Sequence, residues 1–483
     1  MGKLLRKLNL DTALTATAAC CLAAIMCVAY MRARFPLELN YEEGNILNAG
    51  LRVLRGSTPY PDPASFPYLL NPYGPVGYIL AAAGLKVFGV SLFGPRLLVL
   101  VAGVIIVFVL AGLTRGLGSR WRVGFLMGVF FLSTPLPRLW YPLLRVDFWA
   151  VLFSLLGLLA FLSFRRAWFI PLILFVLAIL TKLTAVAAPL ACVAELVLQR
   201  RLKRAFAMAA GVAGVFAASA LYTGDSFSFH QFQTHPEPYS ITRALEFYGV
   251  AFTHCLLAVG VIVYTVAVGL RSTPKARLGW LYLAACSATA FSAGNPAADT
   301  NHLLEWSAAV CLVAALALGL LLERRDPLAR LLVSAFVVST AFWTWQLGRV
   351  SGADLDRKGC TEAYAFIGSF PGDRVLSEDV TPLVLAGKPV LASNLYVTAQ
   401  LGSSVNWAQG SLAQLAAREY FDLIVTGREI GTSQLDSARW PPDLAEAISR
   451  QYRLVRRLDC PPHFGAAYIP KTPADGRYRV GKD

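Results

Sequence analysis

The chain has 483 residues, of which 56% are hydrophobic and only 15% are charged, well below the roughly 25% charged residues of a soluble domain. Its mean hydropathy of +0.55 excludes a purely soluble globular fold, because such a fold could not bury so much apolar surface. The net charge of +15 does not indicate nucleic-acid binding, because the basic residues fall mostly in short runs between apolar segments, as in membrane proteins.

About eleven transmembrane helices are predicted, because apolar runs recur along the chain and several approach the roughly 20 residues that a span needs. The first run follows Lys3, Arg6 and Lys7 like a signal peptide, but Arg32 and Arg34 replace a small-residue cleavage site, so a retained helix is predicted. The runs are 12–31, 93–113, 123–136, 147–164, 168–181, 183–198, 205–222, 249–270, 278–293, 304–322 and 328–346.

The charges between these runs predict the orientation in the membrane. With the N-terminus inside, every inner connection is basic, whereas the outer connections hold the acids, and positive charge favours the inner side. The inner segments carry Arg115, Arg120, Arg122, Arg165, Arg166, Arg200, Arg201, Lys203, Arg204, Arg271, Lys275, Arg277, Arg324, Arg325 and Arg330. The outer ones carry Glu38, Glu42, Glu43, Asp62, Asp147, Asp225, Glu237 and Asp299. An odd number of spans places the C-terminal tail outside.

The first outer loop, residues 32–92, is predicted to be functional, because long ordered loops in compact proteins usually are. The adjacent carboxylates Glu42 and Glu43 follow the first helix, and proline-rich turns such as Asn71-Pro72-Tyr73-Gly74-Pro75 come after them. A helix-capping role for the acidic pair is the alternative. The apolar stretch 76–89 is too short to span easily and is placed along the outer surface.

Further ionisable residues point to the same outer face. Asp147 opens an apolar helix after a short loop that contains Arg138 and Arg145, and Lys182 lies between two apolar runs. Charges at membrane depth are costly and usually have a partner or a role, although a structural Asp147 and a Lys182 that reaches the interface remain alternatives. Carboxylates can accept the proton of an acceptor hydroxyl, and clustered cations can stabilise a phosphate leaving group.

The tail from residue 349 to 483 has an ordinary composition and is predicted to be a small extracytoplasmic α/β domain after a membrane domain of residues 1–348. Strands are predicted at 374–377, 421–426 and 452–455, and helices at 410–419 and 442–451. If the tail faces an oxidising compartment, Cys360 and Cys460 could form a disulfide. No cysteine spacing resembles a zinc or iron–sulfur site.

The order of these features resembles the C-type (GT-C) membrane glycosyltransferases, in particular bacterial proteins similar to protein mannosyltransferases and lipid A aminoarabinose transferases. Glu42-Glu43 matches the acidic pair after the first helix, and residues 71–75 match a proline-containing stretch loosely. Residues 88–96, from Phe88-Gly89 to Arg96, match a segment before the second long helix, and Asp147 matches an acid in the second outer loop. The resemblance covers the chain to about residue 346.

The resemblance implies an inverting glycosyltransferase of the bacterial inner membrane that takes a sugar from a polyprenyl-phosphate carrier at the periplasmic face. It implies Glu42 as the general base, Glu43 and Asp147 as supporting acids, and Tyr73 and His302 as substrate-binding residues. The donor phosphate would meet Arg96, Arg138, Arg145 or Lys182. Which carboxylate is the base stays open, because the family pair commonly begins with Asp. Whether a divalent metal takes part also stays open. The acceptor is open as well, and it could be a glycolipid, a polysaccharide or a protein.

Two other functional classes fit the same residue types. A transporter or lipid flippase would use acids and cations, but it should show related halves or broken helices at corresponding positions, and the sequence has no internal repeat. A binding or assembly protein without catalysis is the third interpretation.

Overall fold

The computed structural model of the protein describes residues 10–164, 167–233, 238–269, 274–295, 298–354, 358–402, 405–432, 439–461 and 463–472. Several residues used for the topology lie outside these ranges, namely Lys3, Arg6, Lys7, Arg165, Arg166, Glu237 and Arg271. The side chain of Asp225 is likewise not among the described parts.

Helices dominate the chain to residue 354, and each predicted apolar run overlaps one of them. They are α1 (Leu10–Arg34), α2 (Glu43–Leu54), α3 (Pro75–Phe88), α4 (Phe93–Gly116), α5 (Trp121–Ser133), α6 (Pro135–Trp140), α7 (Asp147–Ser163), α8 (Phe169–Ile179), α9 (Ala187–Leu198), α10 (Leu202–Ser228), α11 (Ile241–His254), α12 (Leu256–Ala267), α13 (Arg277–Thr289), α14 (Leu304–Glu323) and α15 (Pro327–Asp354). A π-helical turn, Phe229–Gln233, follows α10, and 3-10 turns flank α13 and precede α14.

In the described ranges, five helical segments are long and apolar enough to cross a membrane: Leu14–Arg34, Phe93–Gly116, Leu202–Ser219, Thr300–Glu323 and Pro327–Arg349. The pair α11 and α12, bent by 83°, makes a sixth if it is one span. Other apolar helices, among them α5, α7, α8 and α9, are shorter than a full span. The chain is therefore a polytopic helical membrane protein, and the count of eleven spans stays a prediction.

One helix forms the centre of the membrane part. Almost every side chain of α14 is buried, and it packs against α5, α12 and α13. The outward faces of neighbouring helices carry large apolar side chains in exposed positions, such as Phe108, Val263 and Val338. Exposed apolar surface of this extent suits contact with lipid chains rather than with water.

The tail forms a small α/β unit, as predicted. Its elements are α16 (Lys358–Ser369), β1 (Val375–Ser377), α17 (Thr381–Leu385), α18 (Leu395–Leu401), α19 (Leu412–Ala417), β2 (Leu423–Thr426), α20 (Pro442–Gln451), β3 (Tyr452–Cys460) and β4 (Phe464–Pro470). The sheet has the order β1-β2-β4-β3, with β1 parallel to β2 and the other pairs antiparallel. The sequence prediction missed β4, α16, α17 and α18. A disulfide joins Cys360 in α16 to Cys460 in β3.

The tail also holds the first outer loop. Tyr68 forms a parallel β-bridge with Ala392, and the Leu70 amide donates to Ser393 Oγ at 2.9 Å. Helix α17 packs against α2, where Gly44 lies so close to Thr381 that a Cβ would overlap it. The predicted division at residues 348/349 stays a proposal, because α15 continues across it to Asp354.

Candidate active site

The two adjacent acids of the first outer loop have different surroundings. Glu43 is fully buried at the start of α2, and Arg96 binds its two oxygens through Nε at 2.7 Å and Nη2 at 2.6 Å. The amides of Leu39 and Leu144 also donate to this carboxylate, at 2.8 and 2.7 Å. Burial alone would raise the pKa of Glu43, but the charge and hydrogen bonds of Arg96 hold it below its usual value.

Arg96 uses all its donors inside this cluster. Besides Glu43, its Nη atoms donate to the carbonyls of Arg32, Phe35 and Leu37, at 2.7–3.1 Å. Its guanidinium is completely buried, so no N–H group is left for a phosphate. We therefore replace the phosphate-binding role suggested by the sequence with a structural one: Arg96 joins α4 to the end of α1 and to the start of α2.

Glu42 precedes α2 and faces a different environment. Its side chain is partly exposed, and its Oε2 atom has no hydrogen-bond partner. Burial raises its pKa above the usual value, while Arg145, the Asn45 side chain and Arg439 oppose the rise. A carboxyl group with a raised pKa and an oxygen without a donor suits a proton acceptor.

Arg145 connects the first outer loop to the second. Its Nη2 donates to Tyr73 Oη at 3.0 Å and its Nη1 to Asn40 Oδ1 at 3.3 Å. The guanidinium also lies over the rings of Tyr73 and Trp140, at 5.7 and 5.2 Å. Its Nε makes no hydrogen bond and lies 3.7 Å from Asp147 Oδ2. Arg145 is thus fixed by aromatic and polar neighbours, and its buried Nε donor makes no hydrogen bond.

Asp147 and Lys182 form the second buried ion pair. Lys182 Nζ lies 2.6 Å from Asp147 Oδ1, and Asn301 Nδ2 donates to the same oxygen at 2.9 Å. The position of Asp147 at the first residue of α7 adds the positive end of a helix dipole. Asp147 Oδ2 and Asn301 Oδ1 are buried without hydrogen-bond partners. Unsatisfied buried atoms of this kind are rare in native structures and call for a ligand or water.

A narrow cavity lies next to this pair. Asp147, Lys182 and Asn301 line it together with His302, whose Nδ1 is 2.9 Å from Ser292 Oγ. Glu305, which the sequence analysis did not assign to the site, lines the same cavity. A larger cavity of about 670 Å³ lies at the opposite end of the helices, next to Arg277 and Glu323, and holds none of the predicted site residues.

The structure thus brings together most of the residues predicted from the sequence. Tyr73, Arg145, Asp147 and Lys182 form one contact network, and His302 lines its cavity. Arg138 lies on the neighbouring helix α6, where its carbonyl accepts a hydrogen bond from Arg32 at 2.7 Å. Its role at a phosphate stays a proposal.

Besides Glu305, three residues near the site were not predicted from the sequence: Asn40, Asn301 and Arg439. Asn40 and Asn301 bind Arg145 and Asp147 directly. Asn301 directly precedes His302, which the sequence did predict, so its position next to a candidate residue is the one signal that could have marked it. Arg439 lies in a tail with no motif to mark it, far along the sequence from the site residues of the first outer loop.

The donor set does not favour a divalent metal. Among the described residues, no group of three or more His, Cys, Asp or Glu is placed to hold a metal ion. Asp147, the most buried acid of the network, already faces the cations of Lys182 and Arg145. A site in which two cations face one acid suits an anionic ligand, so no step of the proposed reaction uses a metal.

No family model matches the sequence, and no curated protein matches it. ArnT from Cupriavidus metallidurans in the apo state matches with a TM-score of 0.65 and 13% identity, covering 94% of this chain and 98% of that one. The ArnT structure bound to undecaprenyl phosphate gives a TM-score of 0.63 and 14% identity with the same coverage.

The apo oligosaccharyltransferase of Archaeoglobus fulgidus matches with a TM-score of 0.56 and 13% identity, covering 95% of this chain and 74% of that one. At such low identity the likeness establishes the fold alone. ArnT, an aminoarabinose transferase, and the oligosaccharyltransferase are both C-type glycosyltransferases. This chain therefore has the GT-C-type fold of the membrane glycosyltransferases.

Proposed function

We propose that the protein is an integral membrane glycosyltransferase that moves a sugar from a polyprenyl-phosphate carrier to an acceptor hydroxyl, with inversion at the anomeric carbon. The observation that carries this proposal is a carboxylate oxygen of Glu42 without a hydrogen-bond partner near the cation of Arg145, which in turn lies against the Asp147–Lys182 ion pair. The GT-C-type fold, and the undecaprenyl phosphate bound by one structural neighbour, support a lipid-linked donor.

The cations are assigned to the donor phosphate. Breaking the bond between the anomeric carbon and the phosphate oxygen leaves negative charge on the phosphate, and fixed positive charge stabilises it most at that moment. Lys182 and Arg145 flank Asp147, which orients them by charge and keeps them at one place. The Tyr73 hydroxyl, which accepts from Arg145, can donate its own proton to a phosphate oxygen.

Glu42 is assigned as the general base. The acceptor oxygen attacks the anomeric carbon as its proton passes to Glu42, and the electron pair of the breaking bond leaves with the phosphate. Because attack and departure occur on opposite faces of the sugar, the configuration inverts. Glu43 cannot share this task, since four hydrogen-bond donors occupy its oxygens; it positions the turn that carries Glu42.

We also propose that this site faces the periplasm, across the inner membrane from the N-terminus. The basic connections, such as Arg200–Arg204 and Arg324–Arg330, mark the opposite side by the positive-inside bias. The disulfide of the tail, which lies on the same side as the site, suits an oxidising compartment.

The proposal is tested by measuring sugar release from a panel of radiolabelled undecaprenyl-phosphate sugars with the purified protein. We expect Glu42→Gln and Asp147→Asn to lower kcat/KM by at least about 10²-fold. Glu195→Gln is the matched control, because Glu195 also pairs with an arginine, Arg277, but lies near the other end of α9. It should stay within about threefold of the wild type, since this pair contacts none of the proposed site residues and 40% of the Arg277 side chain is exposed.

Two results would count against this function. Wild-type protein that binds these lipids without ever cleaving them would favour the transporter interpretation. Full activity in both Glu42→Gln and Asp147→Asn, with folding confirmed by an unchanged Tm, would move the chemistry elsewhere in the molecule.

A further inference from the structure

The narrow cavity beside the Asp147–Lys182 pair has room for one small polar group. Its volume is about 20 Å³, and about 10–15 Å³ is enough for a water molecule. Asp147, Lys182, Asn301 and Glu305 all contribute to its wall. The cavity is therefore too small for a whole sugar ring, and it fits a single substituent of a ligand that lies mostly outside it.

Asn301 offers a hydrogen-bond acceptor at this cavity. Its Nδ2 donates to Asp147 Oδ1 at 2.9 Å, and this contact fixes which way the amide points, because an ionised carboxylate only accepts hydrogen bonds. The Oδ1 atom of Asn301 is buried without a hydrogen-bond partner, and only 4% of the residue is exposed. A buried acceptor of this kind needs a donor from a ligand or from a water molecule.

Two carboxylates line the cavity together with Asn301. Glu305 lies in the first turn of α14, and its Oε1 accepts a hydrogen bond from the Tyr282 hydroxyl at 3.1 Å. Asp147 Oδ2 is buried without a hydrogen-bond partner, like the Asn301 oxygen. These oxygens disfavour an anionic group in the cavity, and the Lys182 cation in its wall disfavours an ammonium group. A neutral hydroxyl group, which can donate a hydrogen bond, is the best fit.

The cavity adjoins the place proposed for the donor phosphate, because Lys182 and Asp147 belong to both. The transferred sugar is bonded to that phosphate, so one of its hydroxyl groups can enter the cavity while the phosphate stays at the cations. The acceptor is a weaker candidate. Its reacting hydroxyl must reach Glu42, which is not among the described residues that line the cavity.

We infer that this cavity receives one hydroxyl group of the donor sugar and that Asn301 and Glu305 determine the specificity for it. The inference rests on the proposed function, because the lipid carrier delivers a sugar only in a glycosyltransferase. Asn301 Oδ1 accepts the proton of this hydroxyl, and Glu305 borders the same space. A sugar that lacks the hydroxyl leaves the Asn301 oxygen unpaired, and the energetic cost of that unpaired oxygen selects against it.

The test measures binding of lipid-linked sugars to the intact protein in nanodiscs, by competition with radiolabelled undecaprenyl phosphate and without an acceptor. The probes are undecaprenyl-phosphate glucose, mannose, galactose and arabinose, followed by the monodeoxy derivatives of the one that binds most tightly. We expect that sugar-lipid to bind more tightly than undecaprenyl phosphate. Removal of one particular hydroxyl should weaken its Kd about tenfold, and removal of the others should weaken it less.

Asn301→Leu identifies the partner of this hydroxyl, because it removes the amide and nearly keeps the size of the side chain. It should weaken the Kd of the intact sugar-lipid about tenfold. The Kd of the matching deoxy derivative should stay unchanged, because the hydroxyl that Asn301 binds is already absent. A purely structural role of Asn301 would weaken both Kd values alike.

Asn48→Leu is the matched control, because Asn48 is also a buried asparagine with an amide atom, Nδ2, that has no hydrogen-bond partner, but it lies in α2. It should preserve the preference for the hydroxyl. Glu305→Gln replaces one acceptor oxygen at the cavity by an NH₂ donor, so it should reduce the preference by a smaller factor. It also serves as the informative variant if Asn301→Leu does not fold.

Each result decides the inference. If the sugar-lipids bind no more tightly than undecaprenyl phosphate, or if every deoxy derivative binds like its parent, a water molecule fills the cavity and the inference is wrong. Equal losses for the intact and deoxy sugar-lipids in the Asn301 variant would also overturn it. Because competition needs no turnover, a hydroxyl preference in a protein that never releases sugar would contradict the proposed glycosyl transfer and leave this subsite standing.

Discussion

Two buried acid–base clusters lie on either side of the turn that begins α2, and they differ in how completely their polar atoms are paired. In the first, which we call the Glu43–Arg96 cluster, the carboxylate accepts four hydrogen bonds and the guanidinium donates five. In the second, the Asp147–Lys182 cluster with Arg145, buried atoms such as Asp147 Oδ2 and Arg145 Nε have no hydrogen-bond partner.

This difference separates structural charge from charge available to a ligand. A fully paired buried cluster has no capacity for another molecule, so its value lies in holding three chain segments together. A cluster with unpaired atoms has a desolvation cost that its own contacts do not offset. A bound phosphate or sugar hydroxyl would supply the missing partners. Adjacent residues such as Glu42 and Glu43 can therefore serve opposite purposes.

The largest effect should come from breaking the paired cluster. Arg96→Met leaves Glu43 buried without its cation, so we expect the free energy of unfolding to fall by about 3–5 kcal/mol. Thermal unfolding of the detergent-solubilised protein measures it. The double variant Glu43→Gln with Arg96→Met should regain part of the loss, because no unpaired charge remains. A single variant as stable as the wild type would show that the cluster is dispensable.

Breaking the Asp147–Lys182 cluster, whose buried atoms are incompletely paired, should affect turnover more than folding. For Lys182→Met we expect kcat/KM for the lipid-linked donor to fall about 10²–10³-fold, the usual effect of losing one group that stabilises developing charge. Its Tm should fall less than that of Arg96→Met, because Asp147 keeps Arg145 and Asn301. The opposite ranking, with folding lost and kcat/KM retained, would contradict the distinction between the clusters.

The tail that packs on the paired side can be loosened separately. Replacing both Cys360 and Cys460 by alanine opens a link that spans 100 residues of sequence, and such links typically stabilise by about 2–4 kcal/mol. We expect a lower Tm with near-normal affinity for undecaprenyl phosphate, since neither cysteine contacts the Asp147–Lys182 cluster. Loss of lipid binding in this variant, at a temperature where it is folded, would show that the tail shapes the donor side too.

The smallest expected effect is a difference between the pH at which activity is lost and the lower pH at which the protein unfolds. Glu42 must be ionised to act as base, and its raised pKa means that activity falls as the pH drops through a value above its usual range. Glu43 has a lowered pKa, so the stability that it contributes is present at higher pH and is lost only when the pH falls through that lower value. Activity should therefore disappear on acidification before the protein unfolds.

Paired pH profiles of kcat/KM and of Tm would check this order. Arg439→Gln sharpens the test, because removing that cation raises the pKa of Glu42 further and moves the acid limb of activity to higher pH. Unfolding that precedes the loss of activity would contradict the assigned roles.

The sequence predicted the elements better than it predicted the pairings. Apolar runs, the strands at 374–377 and 421–426, and Asp147 at a helix start follow from local patterns, and the structure has all of these elements. For Arg96 we propose a structural role in place of phosphate binding, because the carbonyls of Arg32, Phe35 and Leu37 accept its Nη donors, a pairing that no local sequence pattern marks. The proximity of Arg439 to Tyr41 and Glu42 could not be predicted from the sequence, because it depends on how the tail packs on the turn before α2.

The β-bridge between Tyr68 and Ala392 has a consequence for building hybrid proteins. The Tyr68 amide donates to the Leu391 carbonyl, and the Ser393 amide donates back to Tyr68 at 3.0 Å. Removing the tail would leave these backbone groups, and the Leu70 amide, without partners. The side chain of Tyr68 also depends on the tail, because its hydroxyl donates to the Gly410 carbonyl and its ring packs against Trp407. The tail is thus not a freely exchangeable module: a chimera with the tail of another protein should keep the fit between residue 68 and that tail.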